Sequence, residues 1–312
     1  MSELSLEVRG VTKMYGDFKA VDNVTIEVPK GSIYGFLGPN GAGKTTTIRM
    51  ILDIVKPTEG SISVLGAPSA LEVRDRIGYL PEEKGLYKKM KAWAIIAYFA
   101  GLKGIGRKVA KARAFELLER YGLKDFSNAK IETLSKGMGQ KVQVLASIAH
   151  KPEFVILDEP FSGLDPVNQQ VMEDVIRDLA ADGSTIIFST HVMAHAERIC
   201  DRILLIAKGQ KIFDGTIPEA QRTIPNRVRI NTGADKHDLR ELPGVLSVNR
   251  SMEDERGDSW DLGLADGAEP QALLQACFER GIALTAFDHH EPTLHDVFVQ
   301  LVGDEAREAQ KR

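Results

Sequence analysis

The stretch SIYGFLGPNGAGKTTTIRMIL, Ser32–Leu52, decides how the rest of the chain is read. It opens on Ser32–Gly38, a near-continuous apolar run of the kind made by a strand covered on both faces. It closes on a run suited to a helix. Between them GPNGAGKTT, Gly38–Thr46, fits G-x-x-x-x-G-K-[ST]. Gly38, Gly41 and Gly43, with Pro39, Asn40 and Ala42 between them, let backbone N–H groups turn inward together. The following helix, entered through Thr46, aims its positive N-terminus at the same point. Lys44 brings a point charge to the phosphates, and Thr45 offers a hydroxyl to a hard cation. The pattern predicts a polyphosphate cradle. The plainer reading, an ordinary glycine-rich turn, loses ground once the strand before and the helix after are counted.

A second stretch completes the chemistry. FVILDEPFSGLDP, Phe154–Pro166, ends an apolar run on two adjacent acids, Asp158 and Glu159. A buried carboxylate costs several kcal/mol unless compensated, so a cation or a water to be deprotonated is expected beside them. A phosphate loop needs an acid for Mg²⁺ at the end of a neighbouring strand, and Asp158 suits that role. Glu159 could accept a proton from an attacking water. Capping of the next helix is the plainer use of these acids.

Length and composition set limits. The 312 residues suffice for one large domain and a small one, and 43% apolar content allows a sizeable core. A net charge of −4 argues against nucleic acid as a partner. Cys200 and Cys277 fit no metal-ligand spacing, which points to a reducing compartment. MSELSLEVRG does not read as a signal peptide, and Ala92–Leu102 is too short to span a bilayer.

From Leu4 to about Phe213, short apolar runs alternate with helical stretches, which predicts an α/β fold. Ser32–Gly38, Phe154–Glu159 and Ser184–Thr190 read as buried strands, and Leu86–Leu123 reads as a helical insertion. The pattern breaks at Gly215–Asn226. The expected domains are 1–219, with a helical subdomain at about 86–150, then a small α+β domain at 220–305 and a charged tail at 306–312. From residue 220 onward there are 11 Lys/Arg against 17 Asp/Glu. Strands are expected at Arg227–Asn231, Val245–Arg250, Ser259–Leu264 and Ile282–Phe287, and helices at Gln271–Glu279 and Leu294–Leu301.

LSKGMGQ, Leu134–Gln140, precedes an amphipathic helix: Ser135 is a good N-cap, and Val142, Leu145, Ala146 and Ala149 share one face. MYG holds Tyr15, SGLDP holds Asp165, and STH ends in His191. This ordered set resembles the nucleotide-binding subunit of an ABC transporter over about Leu4–Phe213. The resemblance implies a P-loop NTPase fold with a mainly parallel sheet and a helical subdomain. It implies ATP and Mg²⁺ as cofactors, and Tyr15 stacked on adenine. Leu134, Ser135, Lys136, Gly137 and Met138 would form the signature that caps ATP held by a second subunit, in a homodimer or heterodimer. Asp165 would lie on the dimer-interface loop, and His191 would touch the γ-phosphate. The resemblance also implies an integral membrane permease as partner, with this chain cytoplasmic and peripheral on the inner face of the membrane.

Two departures from the family pattern stand out. RIGYLPEEKGLY, Arg76–Tyr87, places Glu82 where the family carries Gln. A carboxylate there keeps a metal-ligating or water-orienting role open, against a plain solvated loop acid. In the signature, Lys136 and Met138 replace Gly and Gln, while Ser135 and Gly137 remain. Because Glu159 is present, the site is read as hydrolytic. PEEKGLY, LSKGM and the ending Glu291–Gly303 also resemble a subgroup of exporter ATPases linked to sodium or drug efflux.

Remaining constellations carry less. FDHHEPTLHD could bind a transition metal, but Thr293 followed by Asp296 reads better as a near capping box. Tyr87–Leu102 mixes a basic start with aromatics, which fits a membrane-surface helix. The family resemblance offers instead a groove for a coupling helix of the permease. Rival functions are a soluble ABC ATPase acting on ribosomes or DNA, and a non-hydrolytic regulatory module.

Overall fold

Two kinds of strand alternate along the chain, those covered on one face and those covered on both. In this computed structural model the described residues are 3–309 apart from 84, 86, 251–258 and 266. β1 (Leu4–Tyr15) and β2 (Phe18–Pro29) form an antiparallel hairpin with Tyr15 paired to Phe18 at its tip. β3 (Ile33–Leu37) is buried at every position, and α1 (Lys44–Ile51) follows it. β4 (Glu59–Val64) returns antiparallel to β1, giving a three-stranded sheet β2-β1-β4. This sheet lies outside the predicted alternation of buried strands and helices, because its strands bury only alternate residues, such as Val24, Ile26 and Val28 on β2.

β5 (Ile77–Leu80) leads into three helices: α2 (Ala92–Leu102), α3 (Arg107–Arg120) and α4 (Lys136–Ile148). The chain before α2 is a turn and a bridge from Lys91 to Lys130, not a helix, and Lys84 and Leu86 of PEEKGLY lie outside the described residues. β6 (Phe154–Asp158), α5 (Pro166–Ala181), β7 (Thr185–Thr190), α6 (Met193–Ile199), β8 (Arg202–Ala207) and β9 (Gln210–Gly215) complete the first unit.

The large sheet runs β5-β6-β7-β3-β8-β9, parallel throughout except for the β8–β9 pair. Parallel neighbours need crossovers, and the crossovers bury both sheet faces. That is why β3, β6 and β7 carry buried side chains at every position. One core cluster joins the two sheets through α1, with Leu6, Val8, Ile26, Phe36, Ile48 and Ile187 all at or below 1% exposure. The carboxyl ends of β3, β6 and β7 fall side by side, because Asp158 is in register with Ser189 and Leu37 with Thr190.

The chain divides into two units, Met1–Thr216 and Ile217–Arg312. The second begins three residues before the expected limit, since α7 (Ile217–Gln221) takes in Pro218. β10 (Arg227–Thr232), α8 (Lys236–Arg240), β11 (Val245–Arg250), β12 (Ser259–Leu264), α9 (Pro270–Glu279) and β13 (Leu284–His290) follow a βαββαβ order. Their sheet is fully antiparallel in the order β11-β12-β10-β13, the split βαβ arrangement. Val228, Ile230, Leu239, Leu262 and Leu273 fill its core. Pairing of β10 with β13 carries the last strand to His290, beyond the Phe287 expected. α10 (Leu294–Ala309) runs into the expected charged tail, whose residues 310–312 lie outside the described part. Thr293 N–H donates to Asp296 at 2.9 Å and Asp296 N–H to the Thr293 hydroxyl at 3.2 Å, a reciprocal cap.

Candidate nucleotide site

The phosphate loop joins β3 to α1, and two of its glycines are required by space and dihedral. A Cβ at Gly38 would lie 2.1 Å from the Ile206 carbonyl oxygen on β8. Gly43, the N-cap of α1, has φ +103 and would bring a Cβ within 2.7 Å of the Ala20 carbonyl oxygen. Lys44 opens the helix, buried at 6% exposure, and donates to the Gly38 and Pro39 carbonyls at 2.7 and 3.2 Å. A cavity of about 480 Å³ lies over the loop, lined by Asn40 to Thr46, Ala20, Phe18, Glu82 and Glu159.

The end of β6 forms the opposite wall. Lys44 Nζ is 3.7 Å from Glu159 Oε1, and His191 Nδ1 is 3.1 Å from Glu159 Oε2. Glu159 sits at φ +50, a left-handed conformation that a non-glycine residue adopts only when its surroundings hold it. Its N–H donates to Ser189 Oγ at 3.0 Å, and the Ser189 hydroxyl donates in turn to Asp158 Oδ1. One serine on β7 thus ties both acids. The Thr45 hydroxyl lies 3.4 Å from Asp158 Oδ1. Asp158 is 1% exposed and its Oδ2 has no hydrogen-bond partner among the described residues. A buried carboxylate oxygen left bare beside a hydroxyl is what a hard divalent cation requires. The residues present therefore fit Mg²⁺.

The predicted residues fall into two groups. The loop, Glu82 and Glu159 line one cavity, with Asp158 and His191 one contact behind. Leu134–Met138 and Asp165 are not among its lining residues; they gather elsewhere. Ser135 caps α4, accepting from Met138 N–H at 3.2 Å, and Asp165 caps α5, accepting from Asn168 N–H at 2.9 Å. That N–H, and then the Asn168 side chain, hold the Asp165 carboxyl below its usual range. A Cβ at Gly137 would stand 3.0 Å from Asn168 Nδ2, and the Lys136 side chain lies against Gly163.

Tyr15 is half-exposed, with Lys13 Nζ 5.1 Å from its ring centroid, and is absent from the cavity lining; its hairpin partner Phe18 is present there, 65% exposed. Phe18, Ala20 and Ser189 are the site residues that sequence reasoning missed. Pairing of Phe18 with Tyr15 across a two-residue turn was the available signal for Phe18. The register of β6 with β7, invisible in sequence, governs Ser189.

Comparison with known proteins follows the division of the chain into two units. Residues 21–162 match the ABC transporter family model, and residues 221–302 match the C-terminal domain model of DrrA1-3-like ATP-binding proteins. An uncharacterised ABC transporter ATP-binding protein of Bacillus subtilis is 40% identical over 96% of this chain and 98% of its own length. The daunorubicin resistance ATP-binding protein DrrA3 of Streptomyces coeruleorubidus is 33% identical, covering 98% of each chain. The Nod factor export ATP-binding protein I of Burkholderia orbicola is 34% identical over 99% of this chain and 100% of its own. Among solved structures, an ATP-binding subunit of an ABC transporter aligns with a TM-score of 0.65 at 31% identity, over 70% of this chain and 92% of that one. A dimeric ATP-binding cassette in a post-hydrolysis state with ADP and Pi gives a TM-score of 0.63 at 25% identity, over 68% of this chain and 98% of that one. With its phosphate loop facing a glutamate–histidine pair, the chain belongs to the family of ABC transporter ATP-binding subunits, and it is an ATPase.

Proposed function

We propose that this subunit powers export through a separate membrane permease, and that hydrolysis needs two subunits facing each other. The observation that carries the reading is the convergence on Glu159 of Lys44 at 3.7 Å and His191 at 3.1 Å, at the wall of the cavity. In this reading Lys44 leaves its loop carbonyls to meet the β- and γ-phosphates, and the loop N–H groups hold the β-phosphate. Glu159 orients the attacking water and takes its proton. His191 keeps Glu159 aimed and helps fix the γ-phosphate. Mg²⁺ would be held by Thr45 and Asp158, with Glu82 beside them, and would neutralise charge on the β- and γ-phosphates.

The second group of residues is the complement of the first. Ser135 and Gly137 of the partner subunit would cap the γ-phosphate, and Asp165 would lie on the interface loop. A cap placed on the far side of the nucleotide accounts for a signature outside its own cavity. Export is supported by the relatives whose names carry drug resistance and Nod factor export. The aromatic residues before and along α2, Tyr87 and Tyr98 with ring centroids 5.9 Å apart, would border the groove that receives the permease. The subunit would then sit on the inner face of the membrane. No helix among the described residues is long and apolar enough to cross a membrane.

Glu159→Gln keeps the side-chain shape and removes the base. Turnover should fall about 10²–10⁴-fold while ATP still binds, and the variant should run as a dimer in gel filtration with ATP. A variant that hydrolyses like the parent, or stays monomeric with ATP, would overturn the assignment.

A further inference from the structure

Between Tyr87 and Phe115 the chain carries eight Lys/Arg and no Asp/Glu, within a protein whose net charge is −4. This block forms the approach to α2, the whole of α2 and the first half of α3. The two helices pack as one hairpin, with Trp93 stacked on Phe115 at 5.7 Å between centroids and Lys111 Nζ 5.1 Å from the Trp93 ring centroid. Lys88, Lys89, Lys91, Arg107, Lys108 and Lys111 are all exposed, and no acid stands within ion-pair distance of them among the described residues. Large apolar side chains are exposed at the loop end of the same hairpin: Leu102 at 63% and Val109 at 54%.

We propose that the α2–α3 hairpin carries a surface for anionic lipid headgroups. Neither the nucleotide site nor its proposed dimer contacts uses this charge. Six exposed cations without a paired acid form a field of one sign, which repels itself in the free protein and is relieved by an extended anionic surface. Exposed aliphatic side chains among those cations are the second requirement of a headgroup layer, where long basic side chains keep their charge in water while their stems and neighbours lie on apolar matter. An acidic protein helix would satisfy the charge alone, but would find no use for Leu102 and Val109 at the loop end of the hairpin. The proposal rests on the reading that this subunit works beside a bilayer. Its vesicle assay does not need the permease, so the two can fail separately.

The test uses the full chain and sedimentation with vesicles of phosphatidylglycerol and phosphatidylcholine in equal parts, against phosphatidylcholine alone. The wild type should sediment with the anionic vesicles only, and be released by high salt. Each basic residue near such a surface contributes roughly fivefold in binding, so Lys89→Glu, Arg107→Glu and Lys108→Glu combined should lower vesicle binding by at least ~100-fold. The same triple variant should keep ATP turnover and melting temperature within error of wild type, because all three side chains are exposed. A milder triple change to Gln should lie between the two. Wild type that ignores anionic vesicles, binds both vesicle types equally, or loses nothing on charge reversal overturns the proposal. So does a charge-reversed chain that fails only to co-purify with its permease, which would assign the surface to protein.

Discussion

Glu82 and Glu159 are the residues whose charge most needs explaining, since both border one cavity beside a phosphate loop. Lys44 answers Glu159 at 3.7 Å; Glu82 is exposed and has no cation within ion-pair distance among the described residues. If Glu82 helps hold Mg²⁺, Glu82→Ala should raise the Mg²⁺ concentration for half-maximal ATPase about tenfold, read from a metal titration, and Glu82→Gln should raise it less. An unchanged titration assigns Glu82 to solvent. Lys44, Asp158 and Glu159 were legible in sequence because the chemistry dictates their types and spacing. Ser189 was not: a serine at a strand end is common, and its hold on both acids depends on a register set by the sheet.

At the scale of elements, α6 is fastened to the turn after β6 by one ring. His195 stacks on Phe161 at 4.2 Å between centroids and 11° between planes, and Phe161 meets Phe188 of β7 edge-on at 5.6 Å. Arg198 donates to His195 Nδ1 at 2.9 Å and pairs with Glu173 of α5 at 3.0 Å, Glu173 being 2% exposed. Burial first, then Arg198 and His191, lower the His195 pKa, so the ring is a neutral acceptor. His195→Ala should cut turnover about tenfold with the nucleotide Kd within twofold, and His195→Phe should restore much of it through the stack. Parallel losses in binding and turnover would make the contact merely structural. The β1–β2 hairpin offers a second test. Phe18→Ala should weaken ATP binding by roughly 5- to 100-fold and leave inorganic tripolyphosphate unaffected, if a base stacks there. The helices and buried strands around the site were readable from periodicity. The hairpin was not, because half-buried antiparallel strands carry a weaker pattern and their partner choice is tertiary.

Across the whole molecule, acid sensitivity should begin in the first unit. His150 is buried at 9% exposure; its Nε2 is 3.1 Å from the Ile77 carbonyl, and Nδ1 has no partner among the described residues. Burial, with Lys103 nearby, pushes its pKa down to about 4. Between pH ~6.5 and ~4 the unfolded chain therefore binds a proton that the folded one refuses, so stability is full above that window and declines through it. The loss should reach at most about 3 kcal/mol, and His150→Gln should flatten the decline, as read from the urea midpoint of the first unit at pH 7 and pH 5. Where the chain divides was nearly readable from its prolines. The exact limit was not, because a five-residue helix takes in Pro218 and opens the second unit.

The short path from Glu159 to Asp165 leaves the acidic pair and arrives, within one turn, against the start of α4, where Lys136 covers Gly163 and Gly137 abuts Asn168. In a facing pair of subunits this means that each chain's own fuel and its neighbour's lid are wired to the same few peptide units. Neither compartment could then fire unnoticed by the other. Velocity plotted against nucleotide concentration would bend upward before it saturates.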